Sequence, residues 1–281
     1  MNIYEATKIL ENDKRLDAVA EKVAEVVGKV VPPGPVKDAL SGTWLGHAAH
    51  PVMTDIPIGA WTSATALDLI GGKESEVAAR RLIGLGVLAA LPTAMSGFSD
   101  YSDTVGAERR VGITHAAFNV AALALFGASY SARRRGSNLK GKSLSLLGMG
   151  AATAGAYLGG HLSLDMGVGV DHTAYEAGPG DWTPAVPESE VEDGKLTKVE
   201  VDGVAIMLTR HGGRVCALSD RCTHAGGPLS EGTIEDGTVK RPWHGSVFSL
   251  ENGSVEQGPA RAPQPSYETR VIEGRVELRS S

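Results

Sequence analysis

The sequence predicts a multidomain protein, an α-helical four-helix transmembrane bundle followed by an all-β antiparallel sandwich. Four apolar segments, at about 52–70, 82–99, 111–132 and 143–164, come one after another. The last two hold no Asp, Glu, Lys or Arg, and each is long enough to cross ~30 Å of hydrocarbon at ~1.5 Å per residue. Beyond residue 190 the pattern changes to short alternating runs, punctuated by Asp202-Gly203, Gly212-Gly213, Asp236-Gly237, Asn252-Gly253 and Glu273-Gly274. Turn pairs of this kind between apolar alternations signal hairpins. Residues 173–190 are rich in Pro, Gly and acid and read as a linker. The expected domains are 1–40, an amphipathic N-terminal helix with a Pro-rich turn; 41–172, the four-helix transmembrane domain; 173–190, the linker; and 191–281, the β domain.

No apolar run follows Met1, so no signal peptide is expected. Leu16, Val19, Val23, Val26, Val27 and Val30 recur at helical spacing with charged residues between them. That helix is expected to lie on the membrane surface or against the rest of the protein, and Pro32-Pro33-Gly34-Pro35 ends it. The four spans follow. Asp55 and Asp68 bracket the first and Pro92 interrupts the second, while Gly, Ala and Ser throughout allow close helix contact.

Ionisable residues inside a span are costly and mark functional candidates. His47 and His50 stand at the entrance of span one, His115 at the entrance of span three and His161 near the exit of span four. Antiparallel threading puts these in one layer. Paired imidazoles from facing helices suit haem b, or a quinone pocket, with Asp55, Asp100 and Asp171 near enough to orient them. Interhelical hydrogen bonding and headgroup anchoring are the structural alternatives.

Lys73, Arg80, Arg81, Arg133, Arg134, Arg135, Lys140 and Lys142 fall after spans one and three, against Lys37, Arg109 and Arg110 on the other side. The positive-inside rule then puts both termini and the β domain on the outer face of the cell membrane. A net charge of −6 and a pI of about 5.8 argue against nucleic acid as a partner. Two cysteines supply no disulfide framework. The expected partners are the lipid bilayer, a redox protein or a quinone, with self-association into a homo-oligomer left open.

The most informative stretch is Cys222-Thr-His224-Ala-Gly-Gly-Pro-Leu-Ser-Glu-Gly, followed by Arg241-Pro-Trp-His244-Gly-Ser-Val-Phe. With these phrases the last hundred residues resemble the Rieske [2Fe–2S] family, in which Cys-x-His and Cys-x-x-His hold a cluster between two loops. Residues ~40–172, through Gly42–Gly59 and Gly159–Asp171, resemble a four-span membrane family of unknown function that is commonly joined to Rieske domains. The resemblance implies a Rieske-like sandwich, a [2Fe–2S] cluster on Cys222, His224 and His244, and a membrane-bound electron-transfer role working with a haem or quinone in the bundle. A stand-alone enzyme is not expected, because no 2-His-1-carboxylate iron site appears.

One position departs from the pattern. Arg241 stands where the family has its second Cys, and a guanidinium offers only donors. Cys216, on a strand, reads as a small buried apolar residue. Three readings therefore stay open: a normal cluster, a single metal ion on the three remaining ligands, or a clusterless interaction module anchored in the membrane. In the last, Arg241 is expected to pair with Glu231 or Asp236.

Overall fold

Each expected apolar segment is a helix. In the computed structural model, which describes residues 2–281, the chain forms two compact units. One contains the residues up to Val31 together with Ala49–Val168; the other contains Pro32–Ala48 and Gly169–Ser281.

The helical unit opens with α1 (Ile3–Asn12) and α2 (Asp17–Val30). Asn2 caps α1: its side chain accepts from the Glu5 amide at 2.8 Å, and Glu5 accepts in return from the Asn2 amide at 3.0 Å. Both helices rest on the bundle. Tyr101 Oη donates to the Ala20 carbonyl at 2.9 Å, and Arg110 Nε meets Asp17 Oδ1 at 2.5 Å. Of the two placements expected for the amphipathic helix, packing against the protein is the one observed; α1 was not anticipated.

The long helices are α4 (Ala49–Ile70), α5 (Glu76–Tyr101), α6 (Gly106–Arg134) and α7 (Asn138–Leu164). Pro57 sits inside α4 and cannot donate to the Met53 carbonyl. The Thr93 hydroxyl of α5 lies 3.1 Å from that carbonyl and 2.9 Å from the Ala89 carbonyl of its own helix, sharing its proton between them, so that the released acceptor is not left bare in an apolar environment. At the far end, Arg133 of α6 and Asp68 of α4 form a buried ion pair, with Nη1 to Oδ1 at 2.9 Å. Two stretches, Lys73–Tyr101 and Gly106–Arg134, are long and apolar enough to cross a membrane by length and composition. Leu85, Leu88, Leu91, Met95 and Val120 on them face outward.

The β unit carries α3 (Pro35–Ser41) and ten strands: β1 (Thr183–Pro187), β2 (Thr197–Val201), β3 (Val204–His211), β4 (Arg214–Ser219), β5 (Thr233–Glu235), β6 (Thr238–Lys240), β7 (Val247–Ser249), β8 (Val255–Gln257), β9 (Tyr267–Ile272) and β10 (Arg275–Ser280). They form three antiparallel sheets, ordered β1-β10-β9, β2-β3-β4 and β5-β6-β7-β8. Strand β3 is buried on both faces. Ile206 and Leu208 pack with Tyr267, Val276 and Leu278, whereas Met207 faces the opposite core of Leu218, Leu229, Phe248 and Leu250. Each such side chain contributes ~1.5–3 kcal/mol by leaving water.

Two boundaries need correction. The second half of the expected linker is folded, since Thr183–Pro187 is strand β1, paired with β10 through Thr183 and Leu278. Residues 32–48 belong with the β unit: Asp38 Oδ1 accepts from the Gly258 amide at 3.1 Å, and Arg261 Nε donates to the Ser41 carbonyl at 2.7 Å.

Candidate metal centre

Two loops carry the motif residues. The first leaves β4 and turns tightly, with the Gly226 amide donating to the Cys222 carbonyl at 2.8 Å and the Cys222 amide to the Gly227 carbonyl at 3.0 Å. Gly226 has φ +69°, a conformation that favours glycine. The second joins β6 to β7 and is closed by the Arg241 amide on the Ser246 carbonyl at 2.9 Å. A third loop braces both. Buried Gln264 accepts from the Thr223 amide at 3.2 Å and donates to the Ser219 carbonyl at 2.8 Å; Ser246 Oγ accepts from the Ala260 amide at 3.0 Å. Gln264, Ser246 and Asp38 were not singled out in the sequence, because no motif marks a residue that acts only through backbone groups.

The loops bring His224 and His244 together, ring centres 5.1 Å apart and planes at 85°. Two imidazoles on one tetrahedral metal at ~2.0–2.1 Å per bond have ring centres ~5 Å apart. Burial, reinforced by the charges of His244, Arg261, Arg241 and Lys37, holds the His224 imidazole well below its usual range. It is therefore neutral at neutral pH and keeps a lone pair for a metal.

The opposite side differs. Cys222 is fully buried, and burial pushes its thiol up despite the charge of Arg241. Arg241 is only 1% exposed. Its Nη1 donates to Cys222 Sγ at 3.3 Å and its guanidinium lies 5.4 Å from the Trp243 ring centre. Its Nε and Nη2 are buried and, among the described residues, meet no acceptor. The expected pairing with Glu231 or Asp236 is therefore corrected: the side chain turns inward to the thiol. Cys216, as expected, packs at the edge of a core.

These residues fit half of a [2Fe–2S] centre. The imidazole side is arranged for one iron, but the thiolate side offers one sulfur and a buried cation, which does not fit a four-ligand cluster. A single ion on Cys222, His224 and His244 does not fit either. Their donor atoms do not all come within 4.8 Å of one another; among the described residues only Glu11, His161 and Asp165 do so. There Lys8 already bridges Glu11 and Asp165 at 2.9 and 3.2 Å.

The histidines of the helical unit do not all converge. His50 and His115 meet, ring centres 6.2 Å apart. His161 instead bonds Glu11 at 2.8 Å and packs against Tyr4, docking α1. His47 belongs to the other unit, with Nδ1 3.1 Å from the Ala48 carbonyl. Convergence of His50, His115 and His161 is thus corrected to one pair. Each ring of that pair reaches a neighbouring helix: His50 Nδ1 lies 3.0 Å from the Thr93 carbonyl and His115 Nδ1 2.8 Å from the Gly155 carbonyl.

A β fold with paired Cys-x-His and x-x-His tips defines an iron–sulfur class, and comparison with known proteins agrees. Residues 181–268 match the Rieske [2Fe-2S] domain family, and residues 46–172 match a predicted membrane protein family, DUF2231. Ferredoxin CarAc of Metapseudomonas resinovorans is 31% identical over 96 residues, covering 34% of this chain and 90% of that protein. The ferredoxin subunit of 3-phenylpropionate/cinnamic acid dioxygenase from Escherichia coli K12 is 34% identical over 93 residues, 33% of this chain and 87% of that subunit. Apoptosis-inducing factor 3 of Mus musculus is 29% identical over 92 residues, and the chain spans only 15% of its length. This chain belongs to the Rieske [2Fe–2S] family through its C-terminal domain, fused to a DUF2231 domain. One of the two ferredoxins is a subunit of a dioxygenase, and the matched family is that of the Rieske [2Fe–2S] domain.

Proposed function

We propose that this chain is a membrane-anchored Rieske-type component of an electron-transfer system, docking a redox partner protein through the loop tips of its β unit. The observation that carries the reading is the pairing of the two tips, with His224 and His244 at 5.1 Å and Trp243 half exposed beside them. The ferredoxin relatives support a protein as the partner. The bundle serves as the anchor, its four long helices crossing the bilayer with the β unit on the outer face; the DUF2231 match and the two apolar helices support a membrane placement, and the Lys and Arg distribution is the argument for the outer face. Arg241 does not fit the fourth ligand position, so the role proposed is docking and not electron transfer through a cluster.

A second reading is favoured by the Arg241–Cys222 contact. In it the β unit takes no part in electron transfer and is purely an interaction module that keeps the family's docking surface. Both readings need a partner at the tips. A photo-crosslinking residue at Trp243, in the full chain in native membranes, should capture a protein that carries flavin, haem or iron–sulfur. Recovery of lipid adducts alone would overturn the docking role.

A further inference from the structure

Three contacts inside the helical unit share one arithmetic. His50 faces His115, Trp61 stacks on Phe126 with ring centres 4.3 Å apart, and Asp68 pairs with Arg133. In every case the partners are 65 residues apart. Their slots repeat as well. A Cβ at Gly97 would lie 2.6 Å from the His50 ring and one at Gly159 2.9 Å from the His115 ring; Gly86 gives way to Trp61 as Gly148 does to Phe126. Gly97 and Gly159, Gly86 and Gly148, and the carbonyl partners Thr93 and Gly155 are each 62 residues apart.

We infer that the helical unit is an internal duplication, in which hairpins α4–α5 and α6–α7 are two copies of one unit packed about a pseudo-two-fold axis. Contact between each residue and its own equivalent, in the same order along α4 and α6, is what an isologous interface produces. The cross-contacts come in the required pairs, α5 on α6 and α7 on α4. Between the equivalent points Asp68 and Arg133 on the first helix and Gly86 and Gly148 on the second, the second copy is three residues shorter, which accounts for 62 against 65.

The kind of partner each hairpin fits follows from the layers. The aromatic layer is self-complementary, but the last layer is not: Asp68 would face Asp, and Arg133 would face Arg, in a pairing of identical hairpins. The ion pair therefore selects the first hairpin's face for the second's over a like copy from another chain. His50 and His115 are assigned as equivalent interhelical clamps on the axis.

The test transposes layers in the full chain in detergent. Exchanging the aromatics (Trp61→Phe with Phe126→Trp) should keep the melting temperature within about 3 °C, whereas Trp61→Ala should lose more than about 6 °C. An exchange as damaging as Trp61→Ala would overturn the inference. The ion layer has an asymmetric slot, because Gly141 accommodates Arg133 and its equivalent is Ala79. Asp68→Arg with Arg133→Asp should be destabilised, and adding Ala79→Gly and Gly141→Ala should recover melting temperature. No recovery on moving the slot would also overturn it. Neither readout depends on metal content or on the docking role.

Discussion

A guanidinium in a protein interior needs acceptors, and Arg241 has one weak acceptor and an indole. Two of its nitrogens are buried with no partner among the described residues, and each unmade bond costs ~1–3 kcal/mol. Because Cys222 is held as a neutral thiol by burial, the charge is not balanced there. Arg241→Met should accordingly raise the stability of the β unit by ~1–3 kcal/mol, read as a higher melting temperature of the full chain. A fall would mean that the contact with Cys222 stabilises more than it costs. Tyr267 makes a second residue-scale case. Burial, with Glu176 nearby, pushes its hydroxyl up to about 12 from 10.0. Between these values the unfolded chain has lost a proton that the folded chain keeps. Stability is therefore full below pH ~10 and falls as pH rises toward 12, by ~1.4 kcal/mol per pH unit. Tyr267→Phe should blunt that alkaline loss in pH-dependent denaturant melts. The ligand positions Cys222, His224 and His244 were legible because their chemistry sits in contiguous phrases. The direction of Arg241 was not, since nothing local says whether a loop arginine turns toward solvent or toward a thiol.

At the scale of elements, the four helices were legible from apolar length, and most strands from Asx-Gly punctuation. Strand β1 was not. Pro184 and Pro187 gave it the composition of a linker, yet it lies at a sheet edge, where proline is tolerated because no ladder bond is required on its outer side. The expected convergence of the histidines failed for a different reason. Position along a helix gives depth, but the rotation that sends His161 to Glu11 rather than to His115 is set by packing. The bond from Thr93 to the Met53 carbonyl shows how packing and sequence agree: the acceptor is released by Pro57 four residues on. Thr93→Val should leave that carbonyl bare and cost ~1–3 kcal/mol. Melting in detergent checks it, with faster amide exchange over residues 53–60. Unchanged exchange would show that water or lipid replaces the hydroxyl.

For the whole molecule, two units of unlike chemistry share one chain: an apolar bundle and a β unit whose two loops bear Cys222, His224 and His244. The orientation proposed from the Lys and Arg distribution has a direct check. A cysteine introduced at Ser137, in the loop between α6 and α7, should react with a membrane-impermeant maleimide only from the cytoplasmic side; labelling from outside would invert the topology. Arg241 decides what the β unit can hold. Iron and acid-labile sulfide should be measured on the purified full chain and on Arg241→Cys, together with the EPR spectrum of each after reduction. The native chain should show no Rieske signal and no stoichiometric iron or sulfide, and Arg241→Cys should bind two irons and two sulfides and give a Rieske signal. Two irons and two sulfides with a Rieske signal in the native chain would contradict this expectation.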